Sequence, residues 1–302
     1  MTTSPTIFMQ GVSKRYGDAY VVRDVDLSVA PGECVAVVGH NGAGKSTLVK
    51  MALGLLTPTA GRVTLLGENP AGRQAMAFRR RIGFLPENVA FSPAMTGREV
   101  LRFYARLKQV PLGVADQLLE RVGLVAASRR RVGTYSKGMR QRLGLAQALL
   151  GEPRVLFLDE PTTGLDIESR QMFYDVMAEL RDAGATLLLS SHALSDIEQA
   201  DRIAIMKAGR MVACGALPEL RRLADLPLRI RVHVADGNAA REFTARRTVQ
   251  WLDDLRFEFT CADDGKVEAI RSVSLLEGVS DIEVMSPTLV DLCDELTREA
   301  AE

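Results

Sequence analysis

The sequence is short of what a membrane span, a metal ribbon or a nucleic-acid surface needs. No apolar run reaches the ~18 residues that cross a bilayer. Met1 to Gln10 lacks the basic start and long apolar core of a signal peptide, so the expectation is a cytoplasmic protein that works at a membrane, if at all, through a partner. The 4 cysteines, at 34, 214, 261 and 293, show no Cys-x-x-Cys or Cys/His spacing, which argues against zinc and against a disulfide framework. There is no net charge, with 38 basic and 38 acidic residues, and hence no bulk reason to expect nucleic acid. Internal repeats and low-complexity segments are also missing.

Charge is unevenly placed nonetheless. Residues 73–142 carry 15 Lys or Arg against 4 Asp or Glu, and residues 218–302 carry 11 against 18. At 302 residues the chain suits one large domain plus a small one, or two ordinary domains.

What is present centres on Gly39-His40-Asn41-Gly42-Ala43-Gly44-Lys45-Ser46-Thr47, directly after the apolar run Cys34 to Val38. Three glycines let the backbone curl with its N–H groups inward, Lys45 supplies a mobile cation, and the Ser46 hydroxyl can ligate Mg²⁺. A Gly-rich strand-to-helix turn without a ligand would explain neither the glycine spacing nor the Lys-Ser that follows. The reading is a nucleoside triphosphate cradle.

Around it, Ile7 to Val12, Leu27 to Val29, Arg62 to Leu65 and Ile82 to Leu85 read as strands and Lys45 to Leu53 as a helix. From Gly97 to Leu149 the pattern is helical, an inserted lobe at about 88–150. Val155 to Leu158 and Thr186 to Leu189 read as buried parallel strands separated by the amphipathic stretch Ile167 to Asp182, which indicates an α/β sheet. We place a boundary near residue 226, giving domains at 1–226 and 227–302. The second is a small acidic α+β unit with strands at Leu228 to Val234, Leu255 to Phe259 and Ser280 to Met285, and helices near Ala239 to Asp253 and Thr288 to Leu296.

Two carboxylates end the strand Val155 to Asp159-Glu160. Asp159 can hold a Mg²⁺ hydration shell, and Glu160 can orient or deprotonate a water aimed at a γ-phosphate. His192 emerges one strand later at the same sheet edge, placed to sense the γ-phosphate, although a lone histidine is more often structural. Tyr16 offers a ring that can stack on a purine and reads equally well as a packed tyrosine at a strand end. Ser136 can cap the helix that runs to Leu149, and with Gly138 it makes a second phosphate-binding helix terminus, most simply explained if it faces another molecule's nucleotide.

Together these residues resemble the nucleotide-binding subunits of ATP-binding cassette transporters, over about residues 5–220. In that family's terms Gly39 to Thr47 looks like Walker A, Val155 to Glu160 like Walker B, Tyr135 to Met139 like the signature loop, Gly164-Leu165-Asp166 like the D-loop, His192 like the switch histidine and Tyr16 like the adenine-stacking aromatic. The resemblance implies a P-loop NTPase core, with a RecA-like lobe plus antiparallel β and helical lobes. It implies ATP hydrolysis with ATP and Mg²⁺, and a head-to-tail homodimer that closes each ATP between one Walker A and the other copy's Ser136 and Gly138, with Asp166 nearby. It also implies a polytopic membrane subunit docking near Glu87 and the helical lobe, a peripheral location on the cytoplasmic face of the inner membrane, and no nucleic acid.

Two departures stand out. The signature, normally Leu-Ser-Gly-Gly-Gln, reads Tyr135-Ser136-Lys137-Gly138-Met139, and Glu87 occupies the position of the Mg²⁺-binding glutamine. A carboxylate can still ligate Mg²⁺ while adding charge beside the phosphates. The combination of Gly39 to Lys45, Leu85-Pro86-Glu87-Asn88 and Thr134 to Leu143 resembles more closely the ATPase of the transporter for copper-centre assembly of bacterial nitrous oxide reductase. That implies a periplasmic subunit as a further partner. Ser286 to Leu292 resembles a closing motif of ATPases from related two-component exporters. A soluble cassette ATPase acting on nucleic acid or ribosomes is the rival class, and it usually carries a second cassette, a long coiled coil or zinc-binding cysteines.

The basic lobe suits anionic headgroups or acidic loops, and reads equally well as a solvated surface. Neutralising Arg129, Arg130 and Arg131 separates the two: membrane recruitment in cells carrying the partner falls on the first reading and is unchanged on the second.

Overall fold

The computed structural model describes residues 4–72, 79–236, 243, 247–288, 291, 292, 295, 296 and 298. Along the chain these form strands β1 (Ile7–Tyr16), β2 (Ala19–Val29) and β3 (Cys34–Val38), helix α1 (Lys45–Ala52), strands β4 (Ala60–Leu65) and β5 (Ile82–Leu85), and helices α2 (Gly97–Lys108), α3 (Leu112–Arg121) and α4 (Lys137–Leu149). Next come β6 (Val155–Asp159), α5 (Ile167–Asp182), β7 (Thr186–Ser190), the short helix α6 (Leu194–Ile197), β8 (Arg202–Lys207) and β9 (Arg210–Gly215). The chain then continues through α7 (Leu217–Ala224), β10 (Leu228–Val234), β11 (Gln250–Asp253), β12 (Arg256–Cys261), α8 (Lys266–Ser274) and β13 (Val279–Met285).

The chain divides into two compact units, 1–216 and 217–302. The break therefore precedes α7, which belongs to the second unit and not to the first as the boundary near 226 implied.

In the first unit a six-stranded sheet has the order β5-β6-β7-β3-β8-β9, parallel except for the final β8–β9 pair. Strands β3, β6 and β7 are buried at every residue, as expected of continuous apolar runs in a sheet covered on both faces. Their register aligns Asp159 with Ser190, and Ser190 with Val37, so the carboxyl ends of the three strands finish level. That level edge positions the site. Beside it lies an antiparallel sheet β2-β1-β4. Ile7, Met9, Val12, Val25 and Leu27 from that sheet share one core with Leu48, Val49 and Met51 of α1 and with Phe157 of β6.

The helical lobe is α2, α3 and α4. Helix α2 starts at a capping box: Thr96 accepts from the Glu99 N–H at 3.2 Å while the Glu99 carboxylate accepts from the Thr96 N–H at 2.8 Å. Lys108 at its end donates to the Ile82 and Leu150 carbonyls at 3.0 and 2.7 Å, fastening the lobe to the start of β5 and the end of α4.

Strands β8 and β9 escaped the sequence reading. Lys207 pairs with Arg210 across Ala208-Gly209, and both turn residues have positive φ, +47° and +82°. This is the backbone of a type I′ hairpin, made with Ala where Asn or Asp would have signalled it.

The second unit is an antiparallel sheet of order β11-β12-β10-β13, the strand order of two interleaved βαβ halves. Alternation along β10 puts Ile230, Val232 and Val234 inside with Phe257, Phe259 and Val273, while Arg231 on the other face pairs with Glu258 and Glu283. The helix expected over 239–253 is corrected at its end: Gln250–Asp253 is strand β11, and residues 239–242 and 244–246 lie outside the described residues. Of the helix expected at Thr288 to Leu296, residues 289, 290, 293 and 294 lie outside them, as does Cys293. Helix α8 was not anticipated. Trp251 on β11 is 39% exposed and leans on Phe257 at 5.2 Å between ring centroids.

Phe157, on β6 between β5 and β7, is fully buried. Replacing it with alanine is expected to cost about 3–5 kcal/mol, read as a lower urea midpoint for loss of the first unit's structure with an unchanged slope.

Candidate functional site

The turn from β3 into α1 is the floor of the site. Gly39 and Gly44 have φ of +153° and +103°. A Cβ on Gly39 would stand 2.3 Å from the Met206 carbonyl oxygen, and one on Gly44 2.7 Å from that of Val21. Neither position tolerates a side chain, and the reason is β8 and β2 pressing from below. The loop is thus held in the inward curl that aims N–H groups at a phosphate. Lys45 is 7% exposed and donates to the Gly39 carbonyl at 2.6 Å and, more weakly, to that of His40 at 3.4 Å. A triphosphate in the loop would compete with these carbonyls for the ammonium.

A cleft of 290 Å³ is lined by Val21, His40, Asn41, Gly42, Ala43, Gly44, Lys45, Ser46, Thr47, Glu87, Glu160, Thr163 and His192. It gathers the residues expected from the loop, the Glu87 segment, the end of β6 and the end of β7. Asp159 joins from beneath, its Oδ1 accepting from Ser46 Oγ at 3.3 Å and from Ser190 Oγ. Ser190 is a contact the sequence reading missed, and its signal was the serine ending an otherwise apolar strand.

Glu160 and His192 meet directly, Nδ1 to Oε2 at 2.8 Å. The Glu160 side chain is 10% exposed and that of His192 62%, so the carboxylate looks into the cleft from its wall and the imidazole stands at the mouth. Glu160 also accepts from Thr163 Oγ1 at 3.3 Å, and its backbone has φ +49°. A non-glycine residue held there costs about 1–3 kcal/mol, a constraint typical of positions whose side-chain direction matters.

Oxygen donors dominate the cleft. Among the described residues no group of three or more His, Cys, Asp or Glu could hold a metal. The 3.3 Å approach of Ser46 to Asp159 suits Mg²⁺, which takes one or two protein oxygens and completes its shell with phosphate and water.

The remaining predicted residues lie off the cleft wall. Tyr16 is 53% exposed with Lys14 Nζ 5.2 Å from its ring centroid. Ser136 caps α4, accepting from the Met139 N–H at 3.1 Å, and Gly138 lies beside Leu165. Asp166 caps α5, and the Ser169 N–H it accepts at 2.8 Å holds its carboxyl below the usual range. The Tyr135 that replaces the signature leucine is buried, which pushes its phenol up, and its hydroxyl donates to the Ala127 carbonyl at 2.7 Å. It fits because residue 97 is glycine: a Cβ there would stand 2.3 Å from the phenol oxygen. Lys137 lies along Gly164, where a Cβ would meet its Nζ at 3.1 Å.

A family model described as ABC transporter matches residues 22–163, from β2 to the segment after Glu160. The daunorubicin resistance ATP-binding protein of Streptomyces coeruleorubidus is 44% identical over 222 residues, covering 71% of this chain and 69% of the relative. The chain belongs to the ABC transporter ATP-binding family. As an ABC ATPase it couples ATP hydrolysis to transport.

Other ABC relatives extend the picture. A Nod factor export ATP-binding protein I of Burkholderia orbicola is 40% identical over 221 residues, 72% of each chain. An uncharacterized ABC transporter ATP-binding protein of Nostoc sp. is 34% identical over 288 residues, covering 93% of this chain and 81% of the relative, so that match runs into the second unit. Among solved structures, an ATP-binding subunit of an ABC transporter superposes with TM-score 0.68 at 31% identity, covering 72% of this chain and 92% of that one. A dimeric bacterial ABC transporter cassette does so with TM-score 0.65 at 25% identity, covering 70% and 98%. Among the described residues no helix is long and apolar enough to cross a membrane.

The loop geometry yields a sharp expectation. Gly44→Ala should weaken ATP binding at least tenfold in a filter or fluorescent-nucleotide assay, since the added methyl must displace the Val21 carbonyl or open the loop.

Proposed function

We propose that this ABC ATPase is the motor subunit of a multi-subunit exporter, working as a homodimer on the cytoplasmic face of the membrane. The observation that carries the reading is the one-sidedness of the site. Phosphate loop, Glu160 and His192 line one cleft, whereas Ser136, Gly138 and Asp166 sit elsewhere on the same chain. A second copy placed head to tail supplies those groups from outside, and the likeness to a dimeric cassette supports that arrangement. The names of the daunorubicin resistance and Nod factor export relatives support export.

In this reading Lys45 and the loop N–H groups hold the β- and γ-phosphates, and Tyr16 stacks on adenine. Mg²⁺, held by Ser46 and Asp159 with Glu87 nearby, would draw charge from the phosphates. Glu160 orients a water and takes its proton as the new bond to phosphorus forms and the bond to the ADP oxygen breaks, while His192 hydrogen-bonds the γ-phosphate. The helical lobe and the Glu87 segment receive a polytopic membrane subunit.

Copper-centre assembly of nitrous oxide reductase, with a periplasmic subunit as further partner, is the narrower reading. It is favoured by Leu85-Pro86-Glu87-Asn88 together with the Tyr135-Ser136-Lys137-Gly138-Met139 signature. A membrane-subunit gene adjacent to this one and to nitrous oxide reductase would support it, and adjacency to a drug or glycolipid exporter gene would replace it.

Glu160→Gln should bind ATP, lose turnover by at least a hundredfold and accumulate as an ATP-dependent dimer on size-exclusion chromatography. Wild-type turnover in this variant would remove Glu160 from its assigned role.

A further inference from the structure

Behind the Glu160–His192 contact lies a buried carboxylate that phosphate chemistry does not require. Asp196, on the short helix α6, is 2% exposed. Thr162 Oγ1 donates to its two oxygens at 2.7 and 2.9 Å, Tyr174 Oη donates at 2.7 Å and Ser191 Oγ at 2.7 Å. The donors come from three elements: the loop after β6, helix α5 and the loop after β7. A carboxylate is expensive to bury and is kept only where such bonds satisfy it, so a mere space-filler at this position would be apolar.

Two of the donors flank the catalytic pair. Thr162 lies two residues past Glu160, and the next residue, Thr163, donates to the Glu160 carboxylate at 3.3 Å. Ser191 is the residue immediately before His192, and its hydroxyl also accepts from the Ala193 N–H at 3.0 Å, closing the turn around the histidine. One carboxylate therefore grips both loops just behind the two groups that meet at 2.8 Å. A further link reaches the signature helix: Gln141 on α4, 3% exposed, donates to the Pro161 carbonyl at 3.3 Å.

We propose that Asp196 is a positioning residue for hydrolysis, holding the Glu160 loop and the His192 loop in one register so that carboxylate and imidazole stay paired. The inference rests on the roles proposed above for those two residues. Through Gln141 and Pro161 the same clamp ties the catalytic pair to the helix whose N-terminus faces the second copy's nucleotide. Closure of the dimer on that helix is thereby felt at the chain's own water-activating groups.

The test uses the full chain and steady-state ATP hydrolysis beside equilibrium ATP binding and thermal melting. In Asp196→Asn, which keeps the shape and loses one acceptor and the charge, kcat should fall about tenfold or more while the ATP dissociation constant stays within about twofold. Asp196→Glu should recover part of the loss. Thr162→Val combined with Ser191→Ala, which leaves the carboxylate in place and cuts both loops from it, should lower kcat as far as Asp196→Asn does. Adding the double change to Asp196→Asn should cost little more. A purely structural role predicts a lower melting temperature with normal kcat per folded molecule. A kcat within about twofold of wild type in folded Asp196→Asn, or equal losses in kcat and ATP affinity, overturns the proposal. If Asp196→Asn does not accumulate folded, the Thr162 and Ser191 double variant decides alone, a normal kcat there being the contrary result. Failure of Glu160→Gln to lose turnover would strike the assignment of the pair instead.

Discussion

Asp159 Oδ1 is the atom on which the first unit converges. It accepts from Ser46 on α1 and from Ser190 at the end of β7, while its own strand lies between β5 and β7. Three pieces of chain far apart in sequence are thus brought to one point at the level edge of a parallel sheet. The pairing has a simple origin: strands apolar along their whole length must be covered on both faces, and only their ends can carry polar groups without leaving them buried and unpaired. The chemistry stands at the edge because the core leaves it no other place.

Much of this was legible before folding. The glycine spacing from Gly39 to Gly44, the apolar runs ahead of Asp159 and Ser190, and the strand-helix alternation each follow from local rules, and each names its own element. Glu160 and His192 could be placed at the same edge because two parallel neighbouring strands end together. What was hidden lies in contacts between distant segments. Nothing local to Gly97 says that it makes room for the Tyr135 phenol. Nothing local to Asp196 says that it receives hydroxyls from residues 162, 174 and 191. The β8–β9 hairpin was missed for a milder reason, since its Ala208 occupies a left-handed position usually given to Asn, Asp or Gly.

Two of the residues that depart from the usual signature, Tyr135 and Lys137, are accommodated by contacts within this chain. Tyr135 brings a hydroxyl into a buried position, where Ala127 satisfies it and Gly97 vacates space. Lys137 lays its stem along Gly164, whose φ of +78° and missing side chain make a shallow groove for it. Two of the exchanges, Tyr135 and Lys137, thus each lie against a glycine. Replacing Tyr135 by leucine would remove the hydroxyl that donates to Ala127 and leave the space beside Gly97 unfilled.

The single tryptophan has a practical consequence. Trp251 sits on an edge strand of the second unit against Phe257, while Tyr16, Tyr20, Tyr104, Tyr135 and Tyr174 all belong to the first, so emission excited where tyrosine does not absorb starts from the second unit. The nucleotide site lies in the first unit. A denaturation curve followed by tryptophan fluorescence and one followed by ATPase activity start from different units and need not share a midpoint. Their separation along the denaturant axis measures how independently the small acidic unit stands from the motor to which it is joined.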